Sequence, residues 1–271
     1  MQVQDVNKFI AYFSLFLFLM ASVCQGANQF GNAVAIYRFE DNLTDSNATS
    51  GNDLADQGAA TYSATAKQGS KSYICETADY GLLADSGVSS DFPFKNETGN
   101  TTGSWAGWVQ PTTLPGNYQV LWGKGSRQLR LKNTVGTYEF IYYGYDGSST
   151  VYTTALSPAA NISTGQWYHV GFSIDGATGN YVLTVWDDTN KARVSTSGNF
   201  TPTWTVANVN WTVGSDGSYH YIGLLDELVV WDTALSLADL TNVQEGDYDG
   251  GAEPSGSSII PILGPQLRRR R

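Results

Sequence analysis

The sequence predicts an all-β fold, a β-sandwich of two sheets with jelly-roll character. Three observations lead to it. Aromatic residues make up 13% of the 271 residues, charged residues only 15%, and there are 29 glycines. Aromatic and β-branched side chains suit a pleated, half-buried surface, while Gly, Asn, Asp and Ser suit turns. Apolar positions recur two apart in short runs, with turn signals about every 8–12 residues, and periodic helix-forming stretches are scarce.

The elements follow in order. Lys8 precedes an apolar run from Phe9 to Val23, and Ser22, Gln25, Gly26 and Ala27 follow as small or polar residues. That run is the length of a signal-peptide core and short for a membrane span, so residues 1–26 are expected to be a cleaved signal. An uncleaved anchor is the alternative, and only then would the membrane be a partner. Lipidation of Cys24 is disfavoured by Val23 before it. Residues 27–248 read as one β domain. It opens with a strand at Ala33–Phe39 and a polar, turn-rich loop through Asn52. Strand-like runs follow around Trp105–Gln110, Val120–Gly123, Leu129–Leu131, Tyr138–Tyr142, Trp167–Val170, Tyr181–Trp186 and Trp211–Val213. A closing strand at Ile222–Trp231 ends at Thr233-Ala234-Leu235-Ser236, a polar cluster able to cap a short helix. Residues 249–271 read as a flexible Gly/Ser-rich tail that ends in Arg268–Arg271.

The closing segment, Gly223-Leu224-Leu225-Asp226-Glu227-Leu228-Val229-Val230-Trp231 continuing to Ala234-Leu235-Ser236, resembles the "G-x-I-D-E-V-R-I-Y-N-R-A-L-S" strand of laminin-G-like domains. These belong to the concanavalin A-like lectin/glucanase superfamily. Further matches occur in order: Trp105-Ala106-Gly107-Trp108-Val109-Gln110-Pro111, Leu121-Trp122-Gly123-Lys124-Gly125, Gly165-Gln166-Trp167-Tyr168-His169-Val170 and Trp211-Thr212-Val213-Gly214. The resemblance covers about residues 33–245 and implies a concanavalin A-like jelly roll. It departs from the pattern at the hairpin tip Asp187-Asp188-Thr189-Asn190-Lys191, which lacks the usual Gly. It implies a secreted or cell-surface, non-catalytic binding module whose partner is carbohydrate or an extracellular protein. An adhesion protein and, further off, a glycan hydrolase are the alternatives. The family's catalytic "E-x-D-x-x-E" strand is not recognisable in this chain.

Charge and cysteine content narrow the partners. A formal net charge of −10 repels phosphate backbones, so nucleic acid is not expected. Cys24 leaves with the signal, which gives a single thiol and no internal disulfide. Cys75 lies in a strand-like run and reads as a small buried apolar residue. Seven Asn-x-Ser/Thr sequons begin at Asn42, Asn47, Asn96, Asn100, Asn161, Asn199 and Asn210.

Two constellations are candidates for function. By the resemblance, Asp45, Asn47 and Asn52 from the first loop and Asp226 from the closing strand would hold Ca²⁺. Asp226 and Glu227 are adjacent on a strand, so one of them is expected to face solvent or a cation. The alternative is that Asp45 caps a turn and Asp226 accepts hydrogen bonds from a neighbouring loop. The second constellation is a sugar-binding face of aromatic rings, for which Tyr143, Tyr145, Trp122, Trp186 and Tyr219 are the candidates. The alternative places them between the sheets. Alternation puts Phe140 and Tyr142 on one face and Tyr143 and Tyr145 on the other.

Overall fold

The computed structural model describes residues 30–47, 51–77, 79–95, 101–145, 151–158, 161–200 and 209–245. The expected signal segment and tail lie outside them. Two antiparallel sheets face each other, as the sequence predicts. The first sheet, among the described residues, runs in the order β13 (Ala192–Asn199), β12 (Asn180–Asp187), β11 (Tyr168–Ile174), β6 (Gly103–Pro111), β15 (Gly223–Trp231), β4 (Ser72–Cys75) and β3 (Thr61–Ser63). β1 (Ala35–Tyr37) adds to it by pairing with β15. The second runs β10 (Val151–Leu156), β9 (Thr137–Tyr145), β8 (Arg127–Thr134), β7 (Tyr118–Lys124), β14 (Trp211–Val213), β5 (Tyr80–Leu83) and β2 (Ala55–Gln57).

The core lies between the sheets and is largely aromatic. Tyr142 stacks on Phe172 with ring centroids 3.9 Å apart, and Phe172 meets Trp105 at 5.4 Å. Phe140, Leu129 and Leu131 join them from the second sheet. The alternation in β9 therefore runs as expected, with Phe140 and Tyr142 inward. The outer face of the first sheet is also covered. Helix α1 (Leu237–Glu245) packs Leu240 and Val243 against Ala106, Val229 and Trp231. Ser236 starts this helix: its Oγ accepts from the Asp239 amide at 3.1 Å, and the Asp239 carboxylate accepts in return from Ser236.

β15 carries a bulge against β6 between Asp226 and Val229, and Glu227 there has φ +48°. The bulge breaks the simple alternation. Of the expectation that one of Asp226 and Glu227 faces solvent or a cation, the solvent part is corrected: both are buried. Glu227 pairs with Arg38 at 3.6 Å, and Asp226 lies under the loop that carries Lys67. The hairpin tip without glycine closes by another route. Asp187 Oδ1 accepts from the amides of Thr189 and Asn190, which supplies the turn.

Candidate functional site: an aromatic and cationic stack on the second sheet

The outer face of the second sheet carries one row of side chains at right angles to its strands. The register aligns Ala55, Leu82, Thr212, Gly123, Gln128, Tyr143 and Thr153 on successive strands. Gly123 makes the low point of the row. A Cβ there would lie 2.1 Å from the Arg127 carbonyl oxygen and 2.7 Å from Gln128 Cα. Beside that low point is a hollow of about 330 Å³, whose lining includes Tyr80, Leu82, Gln128, Asn210, Thr212 and Asp216.

Next to the hollow, four side chains stack. Tyr219 lies on Tyr118 with ring centroids 3.9 Å apart. The Arg130 guanidinium sits 4.3 Å from the Tyr118 ring and 3.8 Å from the Tyr143 ring. A guanidinium is flat and weakly hydrated, so it stacks on ring faces without losing its charge. Arg130 reaches this position because Gln128, Arg130 and Lys132 alternate with the inward Leu129 and Leu131. Tyr219 belongs to the loop after β14, which Asp216 organises. Asp216 Oδ1 accepts from the amides of Ser218 (3.0 Å) and Tyr219 (2.9 Å), and Oδ2 accepts from Gln128 Nε2 at 3.3 Å. Gln128 Oε1 in turn accepts from Arg130 Nε at 2.6 Å. A relay from Asp216 through Gln128 thus fixes the guanidinium. The Tyr118 phenol is pushed up to about 12, first by burial and then by the neighbouring Tyr219 hydroxyl, so it stays neutral.

The structure distributes the sequence-predicted aromatics unequally. It brings Tyr143 and Tyr219 into this stack. Tyr145 ends β9, and its side chain lies outside the described residues. Trp122 is corrected to a core residue with no exposed surface. A bulge between Val120 and Trp122 shifts its parity and turns it inward. Trp186 lies on the outer face of the opposite sheet, where its Nε1 donates to Asp188 and Arg193 stands 5.5 Å from its ring. It therefore cannot share a ligand surface with Tyr143. Tyr118, Gln128 and Arg130 were missed as site residues. The polar–apolar alternation of Gln128-Leu129-Arg130-Leu131-Lys132 was the signal that could have found the last two.

The four residues proposed for Ca²⁺ divide between two places. Asp45 Oδ1 accepts from the amides of Ile36 and Asn47 at 2.8 Å each, and Asp45 Oδ2 from the Asn52 amide at 3.4 Å. Asn47 Nδ2 donates to the Ala33 carbonyl, and Asn52 spans Val34 and Ser89. Asp226 instead accepts from the amides of Lys67 (2.7 Å) and Gln68 (2.9 Å) through Oδ2. Burial, then the Glu40 charge, raises its pKa to about 7 against these hydrogen bonds. Among the described residues no three His, Cys, Asp or Glu side chains gather as a metal site. Asp45 and Asn52 thus act as turn-capping and loop-holding acceptors beside Asn47, while Asp226 holds a different loop through Oδ2 and keeps Oδ1 buried without a hydrogen-bond partner among the described residues.

Two antiparallel sheets packed face to face in this order make a jelly-roll-type β-sandwich. The chain belongs to the concanavalin A-like lectin/glucanases superfamily, whose laminin-G-type family model matches residues 84–241. No curated protein sequence gives a significant match. Solved structures do. One is domain 4 of AbnA, a GH43 extracellular arabinanase from Geobacillus stearothermophilus, in complex with arabinotriose. It is 23% identical, with a TM-score of 0.57, over 78% of this chain and 98% of that one. The binding domain of Paraclostridial Mosquitocidal Protein 1 is 13% identical, with a TM-score of 0.59, over 79% of this chain and 52% of that one. The binding domain of botulinum neurotoxin DC, in complex with rat synaptotagmin II, is 9% identical, with a TM-score of 0.57, over 80% and 52%. The chain thus spans about half the length of the two toxin domains. At these identities the likeness is one of fold.

Proposed function

We propose that this protein is a secreted, non-catalytic module that binds carbohydrate on the outer face of the second sheet. The single observation that carries the reading is the Tyr219–Tyr118–Arg130–Tyr143 stack beside the Gln128–Asp216 hollow. Ring faces pack on the C–H faces of sugars, and the adjacent amide and carboxylate meet hydroxyl groups. The fold's occurrence in a domain complexed with arabinotriose supports the same reading. The hollow's lining supports binding over hydrolysis. It offers one carboxylate, Asp216, whereas glycosidases of the common kinds need two carboxyl groups flanking the scissile bond.

The test is a glycan array with the full chain, run with Ca²⁺ and with EDTA. Selective binding that Tyr143→Ala and Tyr118→Ala abolish, in chains that remain folded, is the expected result. Absence of binding to any glycan would overturn it and move the function to a protein partner. Loss of binding in EDTA would bring a cation into the reading. The first residues to change would then be Asn47, Asp91 and Asp232, around a separate polar hollow of about 430 Å³.

A further inference from the structure

The Arg130 guanidinium is held by two rings and one hydrogen bond. It lies over the rings of Tyr118 and Tyr143, 4.3 Å and 3.8 Å from their centroids. Its Nε edge is taken by Gln128 Oε1. Among the described residues no carboxylate lies within ion-pair distance of it. The nearby acid, Asp216, is committed to the amides of Ser218 and Tyr219 and to Gln128 Nε2. Its Nη1 and Nη2 atoms have no hydrogen-bond or ion-pair partner among the described residues, which leaves a two-donor fork on a guanidinium already anchored by the rings and by Gln128. Such a fork matches a planar carboxylate in bidentate fashion, and pre-fixing it removes the ordering cost that a free arginine would bear.

We infer that this face selects a glycan carrying a carboxylated sugar, with the acid group seated on the Nη edge of Arg130 and its ring lying along Tyr143 or Tyr219. This rests on the carbohydrate-binding reading and narrows it. One fixed cation takes one anionic group. The net charge of −10 and the neighbouring Asp216 set the site against densely charged polyanions. Uronic and sialic-type acids share the required chemistry.

The test compares each acidic oligosaccharide with its own methyl ester, which keeps the rings and removes the charge. The probes are an oligogalacturonide and sialyllactose, with a sulfated lactose as a third arm, titrated against the full chain by calorimetry. The expected result is binding of one carboxylated probe at least about tenfold tighter than its ester, as charge-assisted hydrogen bonds provide. Arg130→Gln removes that difference and leaves residual binding of the ester. Arg130→Lys, which keeps the charge and loses the fork, restores only part of it. Which probe binds tells uronic from sialic-type sources. Equal binding of acid and ester overturns the inference and leaves carbohydrate binding standing. So does preference for the sulfated probe over both acids. Absence of binding to every glycan overturns both.

Discussion

At Gly123 a single hydrogen atom separates the hollow from a clash. A methyl group would press on the Arg127 carbonyl and the Gln128 backbone, neither of which is a yielding side-chain end. Gly123→Ala is therefore expected to lower stability by about 1–3 kcal/mol, read as a lower urea midpoint with an unchanged slope. It also displaces Gln128, the link between Asp216 and Arg130. Aromatic residues of similar appearance in the sequence divide sharply here. Trp122→Ala opens the core and is expected to cost about 3–5 kcal/mol. Tyr143→Ala, on the outer face, is expected to change stability little while removing one ring of the proposed binding surface. Chemical denaturation of the two variants side by side checks this contrast.

At the scale of the element, bulges decide which side chains escape simple alternation. Counting residues two at a time sends one of the adjacent Asp226 and Glu227 outward, and Trp122 is a candidate for the outer face whose alternative lies between the sheets. Trp122 follows the bulge at Val120/Trp122, while Asp226 borders and Glu227 lies within the one at Asp226/Val229, and at each bulge one extra residue shifts the parity. Where no bulge intervenes, as in β9, counting places Phe140, Tyr142 and Tyr143 on their proper faces. Strand parity was legible, while bulges, which depend on the partner strand, were not. The bulged strand also takes part in a pH balance. Asp226, Trp108 and His169 are register partners on neighbouring strands. Burial, then the charges of Arg193 and Lys67, lowers the His169 pKa to about 3, so it stays neutral. As pH falls from its ordinary 6.5 toward 3, only the unfolded chain takes up that proton, and stability is lost. Asp226 acts in the opposite sense. Its pKa is raised from 3.8 to about 7, so its contribution is lost as pH rises through that window. Between about pH 4 and 6.5 the two slopes cancel. Asp226→Asn is expected to expose a loss of stability on acidification, and His169→Phe a loss on alkalinisation, both read as Tm against pH. Parallel flat profiles for the two variants would contradict this assignment.

For the whole molecule, the all-β sandwich and its family could be read from ordered motifs, because those motifs mark strand ends and turns. The site could not, because Tyr118, Arg130, Tyr143 and Tyr219 come from three strands' worth of register and one loop. The core they rest on has a built-in reporter. Cys75 is buried, and burial, then Asp79, pushes its thiol up. A thiol reagent is expected to leave Cys75 untouched in the native protein and to modify it at the rate of global unfolding, as peptide mapping would show. Rapid labelling under native conditions would place Cys75 in a locally opening segment instead.

The row from Ala55 to Thr153 has a further consequence. It crosses seven strands, and at the usual spacing between neighbours it measures roughly 30 Å. Under the proposed carbohydrate binding, a monosaccharide beside Arg130 would occupy only one stretch of it. The surface would then act as a ruler laid across an oligosaccharide: affinity is expected to climb with each added sugar until the oligomer reaches the last strand, and then to stop rising.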